Sequence, residues 1–517
     1  MSDSTIRLKP RPPKPVESTD KKRGKSPAAK RWAEKTAKRV AGSTAATTDA
    51  TKAAPSQSDS GRAAKPAFRK DSREQPTPGR SGSRPAPRAN PKANTQTSSR
   101  LAGFAVCPSG LEDALTEELK TLPGFQEVIK GRGGARFVAN PEAIARANIW
   151  ARIPTRILIE VGSGTIREPD DIRLISTKIL WENWFTVTQT LRIDLAVGRE
   201  PKLDKPLARN FATLLVKDGI CDRFRIARGK RPSIDTAHPD IRVWAFLDQN
   251  TLTIYLDSSG EPLFKRGWRQ AKGDAPLREN LAAALIAMTE WDGQTPLMDP
   301  FCGSGTLLIE AMQRALKLPP GYTPGAPRSF AAEGFHPTSP MGQVNWRALR
   351  AQAKEAIDRV TTGVSIPAMQ GSDIDSRMVA LAQQNAVRAL PEVAAQAIEW
   401  KTGAFRDVVP IADHGVLVTN PPYGKRLEQD GRFRGRNADG EVDGDAEASD
   451  DTHEFERAIA ETLKKHYSGW QAWILSDNLK LETAMRLKAA RRVPVFNGDI
   501  ECRWVRFDMV AGSMREQ

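Results

Sequence analysis

From about residue 273 the sequence alternates short apolar runs with amphipathic stretches, and this alternation restricts the fold more than any other feature. The runs typical of strands lie at Thr295–Met298, Ser365–Gln370, Gly415–Val418 and Gln471–Leu475. Stretches with helical spacing, 306–316, 376–390 and 454–466 among them, separate these runs. Because parallel strands need helical crossovers, the pattern predicts an α/β fold with a doubly wound parallel sheet. Two final runs, Arg492–Phe496 and Cys502–Val510, have no helix between them and predict an antiparallel edge.

Residues 101–260 follow a different, α+β pattern, which we divide into a unit at 101–163 and another at 164–260. In the first, helical spacing covers about 110–122 and 141–150, and strands are predicted at 135–139 and 156–161. In the second, a strand at 191–197 and a helix at 207–218 precede two alternating runs, 241–247 and 251–256. Asp248-Gln249-Asn250 between those two runs predicts a hairpin.

All of the formal net charge lies in residues 1–100. These residues contain 24 Lys and Arg against 8 Asp and Glu, which equals the net charge of +16 of the whole chain. They are rich in Pro, Ser, Ala and Thr, so we expect a disordered tail whose charge favours RNA or DNA, with a purely solubilising extension as the alternative. A second Gly- and Asp-rich stretch, Glu428–Thr452, predicts a long surface loop.

Several classes of protein are excluded at this stage. The four cysteines, at 107, 221, 302 and 502, are too far apart for a CxxC pair or a cysteine zinc site. No run approaches the ~18 apolar residues of a membrane span, and the first residues lack the apolar core of a signal peptide. The five histidines show no H-x-x-x-H spacing. We therefore expect a cytoplasmic protein with no membrane partner and no metal.

A glycine-containing loop, Asp299-Pro-Phe-Cys-Gly-Ser-Gly-Thr306, follows a predicted strand and opens a predicted helix. Gly303 and Gly305 permit close approach of the backbone to a ligand. The P-loop lysine is absent, and Leu308 stands where a dinucleotide motif needs a small residue. Asp299 would repel a diphosphate but attract the cationic groups of S-adenosylmethionine; the alternative is that the glycines only form a tight turn.

The next predicted strand ends in Gly371-Ser372-Asp373-Ile374-Asp375. A carboxylate at the tip of this strand can accept hydrogen bonds from both ribose hydroxyls of a bound nucleoside. Asp373 has the better position, whereas Asp375 is expected to cap the helix that begins near Ser376. The distance of 74 residues between Asp299 and Asp373 implies an insertion, roughly Lys317–Gly363.

A third candidate element, Asn420-Pro421-Pro422-Tyr423, follows the apolar strand Gly415–Val418. Its two prolines remove two backbone donors and leave a stiff turn that presents acceptors. The Asn420 side-chain carbonyl and the Pro421 backbone carbonyl could each accept one hydrogen from an exocyclic amine, and Tyr423 could stack on the base. A base in a duplex would have to flip out to reach this turn.

Three segments, DPFCGSGTLLIEA, GSDID and NPPYGKRL, make the chain resemble class I S-adenosylmethionine-dependent RNA methyltransferases. Within that class it resembles the THUMP-domain group, the 23S rRNA guanine-N2 methyltransferases. The resemblance covers about 101–510. It implies a disordered tail at 1–100, a ferredoxin-like unit at 101–163, a THUMP RNA-binding domain at 164–260 and a Rossmann-like methyltransferase domain at 268–517.

The resemblance also assigns roles to the candidate residues. Asp299, Gly303 and Gly305 would lie along the methionine part of S-adenosylmethionine, Asp373 would hold its ribose, and Asn420 to Tyr423 would bind the substrate amine. Relatives place an acid before an apolar residue to contact the adenine, but this chain has Ala404-Phe405 there. Phe405 would still cover the adenine, and Asp407 could take the place of the missing acid. No second methyltransferase domain follows, so one activity is expected.

Two other functions remain open. An adenine-N6 methyltransferase acting on RNA or DNA would use the same Asn-Pro-Pro-Tyr turn, and a catalytically silent RNA-binding assembly factor would need none of it. Cys302 is expected to fit the loop as a small residue, not to act as a nucleophile. The Trp- and Arg-containing segments Trp181–Phe185 and Lys265–Gln270 could contact RNA, although core packing is favoured for Trp181 and Trp184.

Overall fold

The structure, a computed structural model, describes residues 100–203, 206–269, 277–323, 326–422 and 447–510. Within these ranges the chain forms two seven-stranded sheets and one two-stranded ladder. The predicted tail, apart from Arg100, lies outside the described residues. None of the helices in the described ranges is both long enough and apolar enough to cross a membrane.

The first sheet has the strand order β2-β3-β1-β4-β7-β6-β5. Its strands are β1 (Leu101–Val106), β2 (Phe125–Gly131), β3 (Gly134–Ala139), β4 (Arg156–Thr165), β5 (Leu191–Val197), β6 (Ile241–Asp248) and β7 (Thr251–Asp257). The helices of this half are α1 (Glu112–Thr121), α2 (Pro141–Trp150), α3 (Asp170–Lys178) and α4 (Arg209–Arg228). β4 pairs with β1 on one side and with β7 on the other, so one sheet runs through both predicted units.

The hairpin predicted at 241–256 is present as the antiparallel pair β6–β7, with Gln249 in the turn at φ +52°. Two strands of this sheet, β1 and β2, were not predicted, and in the second sheet the strand Ile398–Thr402 was not predicted either. β2 is an edge strand with no fully buried residue, so it lacks the alternation that marks a half-buried strand. β1 contains Gly103, where a Cβ atom would lie 2.4 Å from the Leu158 carbonyl oxygen; the neighbouring strand excludes a larger residue there.

The second sheet has the order β12-β11-β8-β13-β14-β16-β15. Its strands are β8 (Leu297–Asp299), β11 (Met369–Asp373), β12 (Ile398–Thr402), β13 (Gly415–Thr419), β14 (Trp470–Ser476), β15 (Arg491–Asn497) and β16 (Ile500–Asp508). The helices are α5 (Glu279–Met288), α6 (Thr306–Ala315), α7 (Trp346–Asp358), α8 (Ser376–Ala389), α9 (Glu392–Gln396), α10 (Glu447–His466) and α11 (Leu481–Met485). Five strands are parallel, and β16 and β15 form the antiparallel edge, which confirms the predicted fold class.

The surface loop predicted for Glu428–Thr452 is wrong at its C-terminal end. Residues 423–446 lie outside the described residues, but α10 begins at Glu447, seven residues before the predicted helix start. The sequence there, Glu-Ala-Ser-Asp-Asp, is of the acidic type that favours a helix N-terminus, and the prediction gave its polarity too much weight.

The insertion predicted at Lys317–Gly363 is present between α6 and β11. It contains the ladder of β9 (Tyr322–Thr323) with β10 (Ala326–Pro327), followed by short 3₁₀ turns and α7. It packs against the first half of the chain: the Gly321 N–H donates to the Ile149 carbonyl at 2.8 Å, and the His336 N–H donates to the Trp184 carbonyl at 2.7 Å. The insertion therefore fastens the second sheet to the elements of the first.

A buried ionic cluster joins the same two halves. Glu310 of α6 is fully buried, and its carboxylate lies 3.3 Å from Arg266 Nε and 3.9 Å from Arg152 Nη1. Arg152 also donates to the carbonyls of Gln313 and Leu318. Glu118 of α1 accepts the backbone N–H groups of Arg152 and Ile153, which fixes the segment that carries Arg152. The helix after the glycine loop is thus held from the first half of the chain.

Replacing Glu310 by Ala should be strongly destabilising, because it leaves two buried guanidinium groups without their carboxylate. Loss of one partner from a buried ion pair costs about 3–5 kcal/mol. Urea unfolding followed by circular dichroism should therefore show a much earlier transition than in the parent. The matched control is Glu117→Ala, which removes an exposed ion pair with Lys120 and should change the transition little. Equal transitions in the two variants would contradict the role given to Glu310.

Candidate active site at the carboxyl edge of the second sheet

Three strand ends bring the predicted site residues to one edge of the second sheet. β8 lies between β11 and β13, with Gly371 beside Asp299 and Leu417 beside Met298. Because the three strands are parallel, their carboxyl ends point the same way. Asp299, Asp373 and Asn420 therefore follow neighbouring strands, at the place where the order of connections reverses across the sheet.

The glycine loop, residues 300–305, is tied to β11 by backbone hydrogen bonds. The Cys302 N–H donates to the Ser372 carbonyl at 2.8 Å, and the Gly303 N–H donates to Asp373 Oδ2 at 2.9 Å. The other oxygen, Asp373 Oδ1, accepts the Asp375 N–H at 2.9 Å. Asp373 therefore fixes the loop at the carboxyl end of β11. Asp375 caps α8 through the Arg377 N–H, as predicted.

The two loop glycines differ in what surrounds them. Both have positive φ, +51° at Gly303 and +80° at Gly305. A Cβ atom on Gly305 would lie 2.9 Å from the Trp400 ring and 3.0 Å from the Ala382 Cβ, so helix packing requires glycine there. A Cβ on Gly303 would meet nothing closer than Met378, at 4.0 Å. Gly303 therefore leaves open space above the loop, the kind of cradle in which a ligand can approach the backbone.

Asp299 is a buried acid without an ion pair among the residues that the structure describes. Burial raises its pKa to about 7, and the nearby charge of Asp373 acts in the same direction. The Thr419 hydroxyl and the Phe301 N–H, 3.2 Å from Asp299 Oδ1, offset part of that rise. A buried carboxylate lacking a counter-charge suits a cationic ligand, because the ligand would supply the missing charge.

Cys302 is buried, and its Sγ faces its neighbour's backbone, 3.8 Å from the Gly303 carbonyl oxygen. Burial, together with the charges of Asp299 and Asp373, raises the pKa of the thiol well above its usual value. A thiol that resists ionisation is a poor nucleophile. The geometry agrees with its interpretation as a small residue that fits the loop.

The described part of the proline turn comprises Asn420, Pro421 and Pro422, while Tyr423 lies outside the described residues. The Asn420 Oδ1 atom is buried and has no hydrogen-bond partner in the described part of the chain. A buried acceptor without a donor is costly, so this atom suits a ligand that brings an N–H group. Pro421 and Pro422 border a small cavity whose other walls come from α10, α11 and the end of β14.

Phe405 opens a short 3₁₀ turn, Phe405–Asp407, that follows β12. Its ring is buried between Phe301 and Tyr467, with ring centroids 5.5 and 5.6 Å away. Asp407 is exposed to solvent. Backbone contact between the Gly403 N–H and the Asp373 carbonyl, at 3.0 Å, places this turn beside the end of β11.

Arg269 is a residue of this edge to which sequence reasoning gave no role in the site. Its guanidinium group donates to Ser304 Oγ at 3.0 Å, Thr306 Oγ1 at 2.8 Å and Glu279 Oε1 at 2.8 Å, which anchors the C-terminal end of the glycine loop. The sequence placed it in a segment that could contact RNA. That interpretation is wrong for Arg266 and Trp268, which are buried, and for Arg269, whose donors are used internally. Ser304 and Thr306 follow Arg269 by more than 30 residues in the sequence, so the sequence did not reveal these contacts.

The tryptophans of the segment Trp181–Phe185 pack as the core interpretation predicts. Trp181 is fully buried and donates its indole N–H to the Ser176 carbonyl at 2.8 Å. Trp184 is half-buried and meets the edge of Phe335. Across the described ranges, no three His, Cys, Asp or Glu side chains come together as potential metal ligands.

Three family models match successive parts of the chain. Residues 103–158 match the RlmL ferredoxin-like domain, residues 167–257 match the THUMP domain, and residues 266–435 match the RMKL-like methyltransferase domain.

Several known proteins are similar to this chain along most of its length. A putative RNA methyltransferase from Synechocystis sp. is 34% identical over 407 residues, which cover 78% of this chain and 96% of that protein. The ribosomal RNA large subunit methyltransferase K/L of Syntrophotalea carbinolica is 33% identical over 78% of this chain. The match covers 53% of that protein, so the chain spans about half the length of the K/L enzymes it matches.

The fold also has counterparts among solved structures. A putative methyltransferase crystallised as a complex with SAH has a TM-score of 0.65 and 24% identity, and the match covers 80% of this chain and 99% of that one. At this identity the similarity shows the fold.

Alanine substitution at the two loop glycines should lower the stability of the protein by different amounts. Gly305→Ala should lower the free energy of unfolding by about 2–4 kcal/mol, because overpacking against Trp400 adds to the cost of a positive φ. Gly303→Ala has only the cost of φ and should be destabilising by about 1–2 kcal/mol. Denaturant unfolding of both variants measures the difference. Equal losses of stability would show that α8 can move away from the loop.

Proposed function

Because this chain belongs to the RNA methyltransferases that combine ferredoxin-like, THUMP and RMKL-like methyltransferase domains, we propose that it methylates the exocyclic N2 amine of a guanine in 23S rRNA. It is an S-adenosylmethionine-dependent methyltransferase with an RNA substrate. The observation that carries the proposal is that two groups meet on neighbouring strand ends: the buried acid Asp299, which has no ion pair among the described residues, and Asn420 Oδ1, which has no hydrogen-bond partner among them.

The proposed division of the chain places a ferredoxin-like unit at 101–163, a THUMP domain at 164–260 and the methyltransferase domain at 268–517. The matched family ranges, 103–158, 167–257 and 266–435, support it. The basic tail at 1–100 is proposed to add electrostatic affinity for RNA, since it contains the whole net charge of +16.

The proposed cofactor site consists of Asp299, Gly303, Gly305, Asp373 and Phe405. S-adenosylmethionine supplies an electrophilic methyl group and carries positive charge at its sulfonium and amino groups. Asp299 would balance that positive charge, Gly303 would let the cofactor lie against the loop, and Asp373 would accept the ribose hydroxyls while still holding the loop. Gly305 acts indirectly through the packing of α6.

Phe405 would contribute to the apolar wall on the adenine side, since its ring supports Phe301 from below. The resemblance implies an acid next to this position, whereas this chain has Ala404. Asp407 is exposed and is the acid of this turn that could substitute for it.

The proposed amine site consists of Asn420, Pro421, Pro422 and Tyr423. An exocyclic amine is a weak nucleophile because its lone pair is delocalised into the ring. Asn420 Oδ1 and the Pro421 carbonyl would each accept one N–H, directing the lone pair toward the methyl group and stabilising the positive charge that develops on nitrogen. Tyr423 would stack on the flipped base.

RNA is preferred over DNA as the substrate because the K/L relatives are named ribosomal RNA methyltransferases and a THUMP domain matches this chain. Guanine N2 is preferred over adenine N6 because the chain resembles the 23S rRNA guanine-N2 methyltransferases. The proline turn itself accepts any exocyclic amine, so adenine remains the competing base. The intact Asn420–Tyr423 turn argues against a silent assembly factor, which would need none of it.

Cofactor affinity should depend on pH through Asp299. Its pKa near 7 in the free protein means that the group is mostly protonated at pH 6. Because a cationic cofactor favours the ionised carboxylate, cofactor binding below pH 7 releases a proton. The affinity for the cofactor should therefore decrease by up to tenfold for each unit by which the pH falls below 7. Calorimetry between pH 5.5 and 7.5 measures this slope.

Asp299→Asn should flatten that dependence and bind the cofactor weakly throughout. The control is Asp413→Asn, at an exposed residue just before β13 on the opposite edge of the sheet. An unchanged slope in Asp299→Asn would place the titrating group elsewhere.

Asn420→Ala should lower the rate of methyl transfer by roughly 10²–10³, the typical effect of losing one preorganised hydrogen bond. Cofactor affinity should stay close to that of the parent, because Asn420 is proposed to touch the amine. The measurement combines single-turnover methylation of rRNA with calorimetry. The control is Gln396→Ala, which deletes a side-chain amide at the end of α9, just before β12.

The product should be N2-methylguanosine, identified by mass spectrometry of nucleosides from methylated 23S rRNA. Recovery of N6-methyladenosine alone would overturn the guanine assignment. Full activity in Asn420→Ala would overturn the mechanism.

A further inference from the structure

A small cavity lies beside the proline turn, among α10, α11 and the end of β14. Its volume is about 20 Å³, room for about one water molecule, so the edge of a base and not a whole ring could enter it. Its walls are mainly apolar: they include Pro421, Pro422, Phe455, Ile459 and Met485, together with the two acids Glu456 and Asp477.

The topology of the sheet explains why Asp477 reaches this cavity. β14 is parallel to β13, and Ile474 lies beside Thr419. Asp477 follows Ile474 by three residues, as Pro422 follows Thr419, so both residues continue their strands past the same carboxyl edge. The acid therefore lies beside the proposed amine site, on the flank opposite Asp299.

Two acids border the cavity, but their surroundings differ. Both oxygens of Glu456 lie 2.9 Å from the Asn478 amide nitrogen, which holds that carboxylate in place. Asp477 has no ion pair with any residue in the described ranges, and its donors are the backbone N–H groups of Asp477 and Asn478. Partial burial raises the pKa of Asp477. Asp477 is thus an acceptor that retains lone pairs for a ligand.

The two competing bases present opposite groups at N1. Guanine carries an N1–H donor next to its N2 amine, whereas adenine has an unprotonated N1 acceptor next to its N6 amine. A carboxylate accepts hydrogen bonds from guanine N1–H but faces a lone pair on adenine N1. If Asn420 and Pro421 hold the two amine hydrogens, the acceptor for N1–H must lie on one flank of the proline turn.

We propose that Asp477 is a specificity-determining residue that accepts the N1–H of the target guanine and so excludes adenine. This inference rests on the proposed function, because it assumes an exocyclic amine held at Asn420. It adds a residue that the proline turn alone does not provide, since that turn accepts either base.

The test compares two substrate RNAs that differ at the target nucleotide: one carries guanosine and the other 2-aminopurine. Both bases have the 2-amine, but 2-aminopurine has no N1–H. The parent enzyme should prefer guanosine in kcat/KM by roughly 10- to 100-fold, the range expected when a site built for a donor meets a base that lacks it.

In Asp477→Ala that preference should fall to a few-fold, mainly through a slower reaction with guanosine. Asp477→Asn keeps one acceptor oxygen and should show an intermediate preference for guanosine. This variant also provides the test if Asp477→Ala folds poorly. Glu461→Gln, on the exposed face of α10, removes a carboxylate outside the cavity and should leave the preference at the parent value. The variants form a double-mutant cycle with the base change, so the effect of the missing O6 atom of 2-aminopurine cancels.

The outcomes separate the two proposals. If the parent methylates guanosine but both Asp477 variants keep its full preference, the base-reading role of Asp477 is wrong while the guanine function stands. If the parent methylates neither RNA but does methylate adenosine in rRNA, the proposed function is wrong and the inference about Asp477 fails with it.

Discussion

The carboxylate of Glu310, buried between Arg152 and Arg266, is the interaction on which the arrangement of this protein depends. Glu310 lies on α6, the helix that the glycine loop opens, while Arg152 belongs to the segment between α2 and β4. A buried charge is tolerated only when its partners are fixed, so both halves must be folded and in contact for this cluster to form. The position of the glycine loop is thereby set partly from outside the sheet that carries it.

The candidate site is rigid, and two of its polar groups each lack one kind of partner among the described residues. Asp373 and Arg269 hold the glycine loop at its two ends, and the prolines stiffen the turn that follows β13. Among the residues that the structure describes, Asp299 has no counter-charge and Asn420 Oδ1 has no hydrogen-bond donor. Both deficits cost stability in the free protein. A cation and an amine would satisfy them, which is the pair of ligands that methyl transfer to a base requires.

The sequence allowed the parallel sheet, its antiparallel edge and the order of the three motifs to be predicted, because each depends on local pattern. Asp299, Asp373 and Asn420 could be placed at strand ends for the same reason. Arg269 and Glu310 could not be assigned their partners, since those partners lie far away in the chain and arginine and glutamate most often face solvent. β2 lacked a periodic signal because it is an exposed edge, and the early start of α10 was hidden by an acidic, loop-like composition.

The pairing of β4 with both β1 and β7 has a mechanical consequence. Because both modules share this strand, we expect the ferredoxin-like and THUMP parts to move together as one continuous sheet. Glu310 and the insertion connect this first sheet to the second sheet. For the RNA substrate proposed above, this arrangement would set a fixed distance between the RNA element that the THUMP part grips and the nucleotide that reacts.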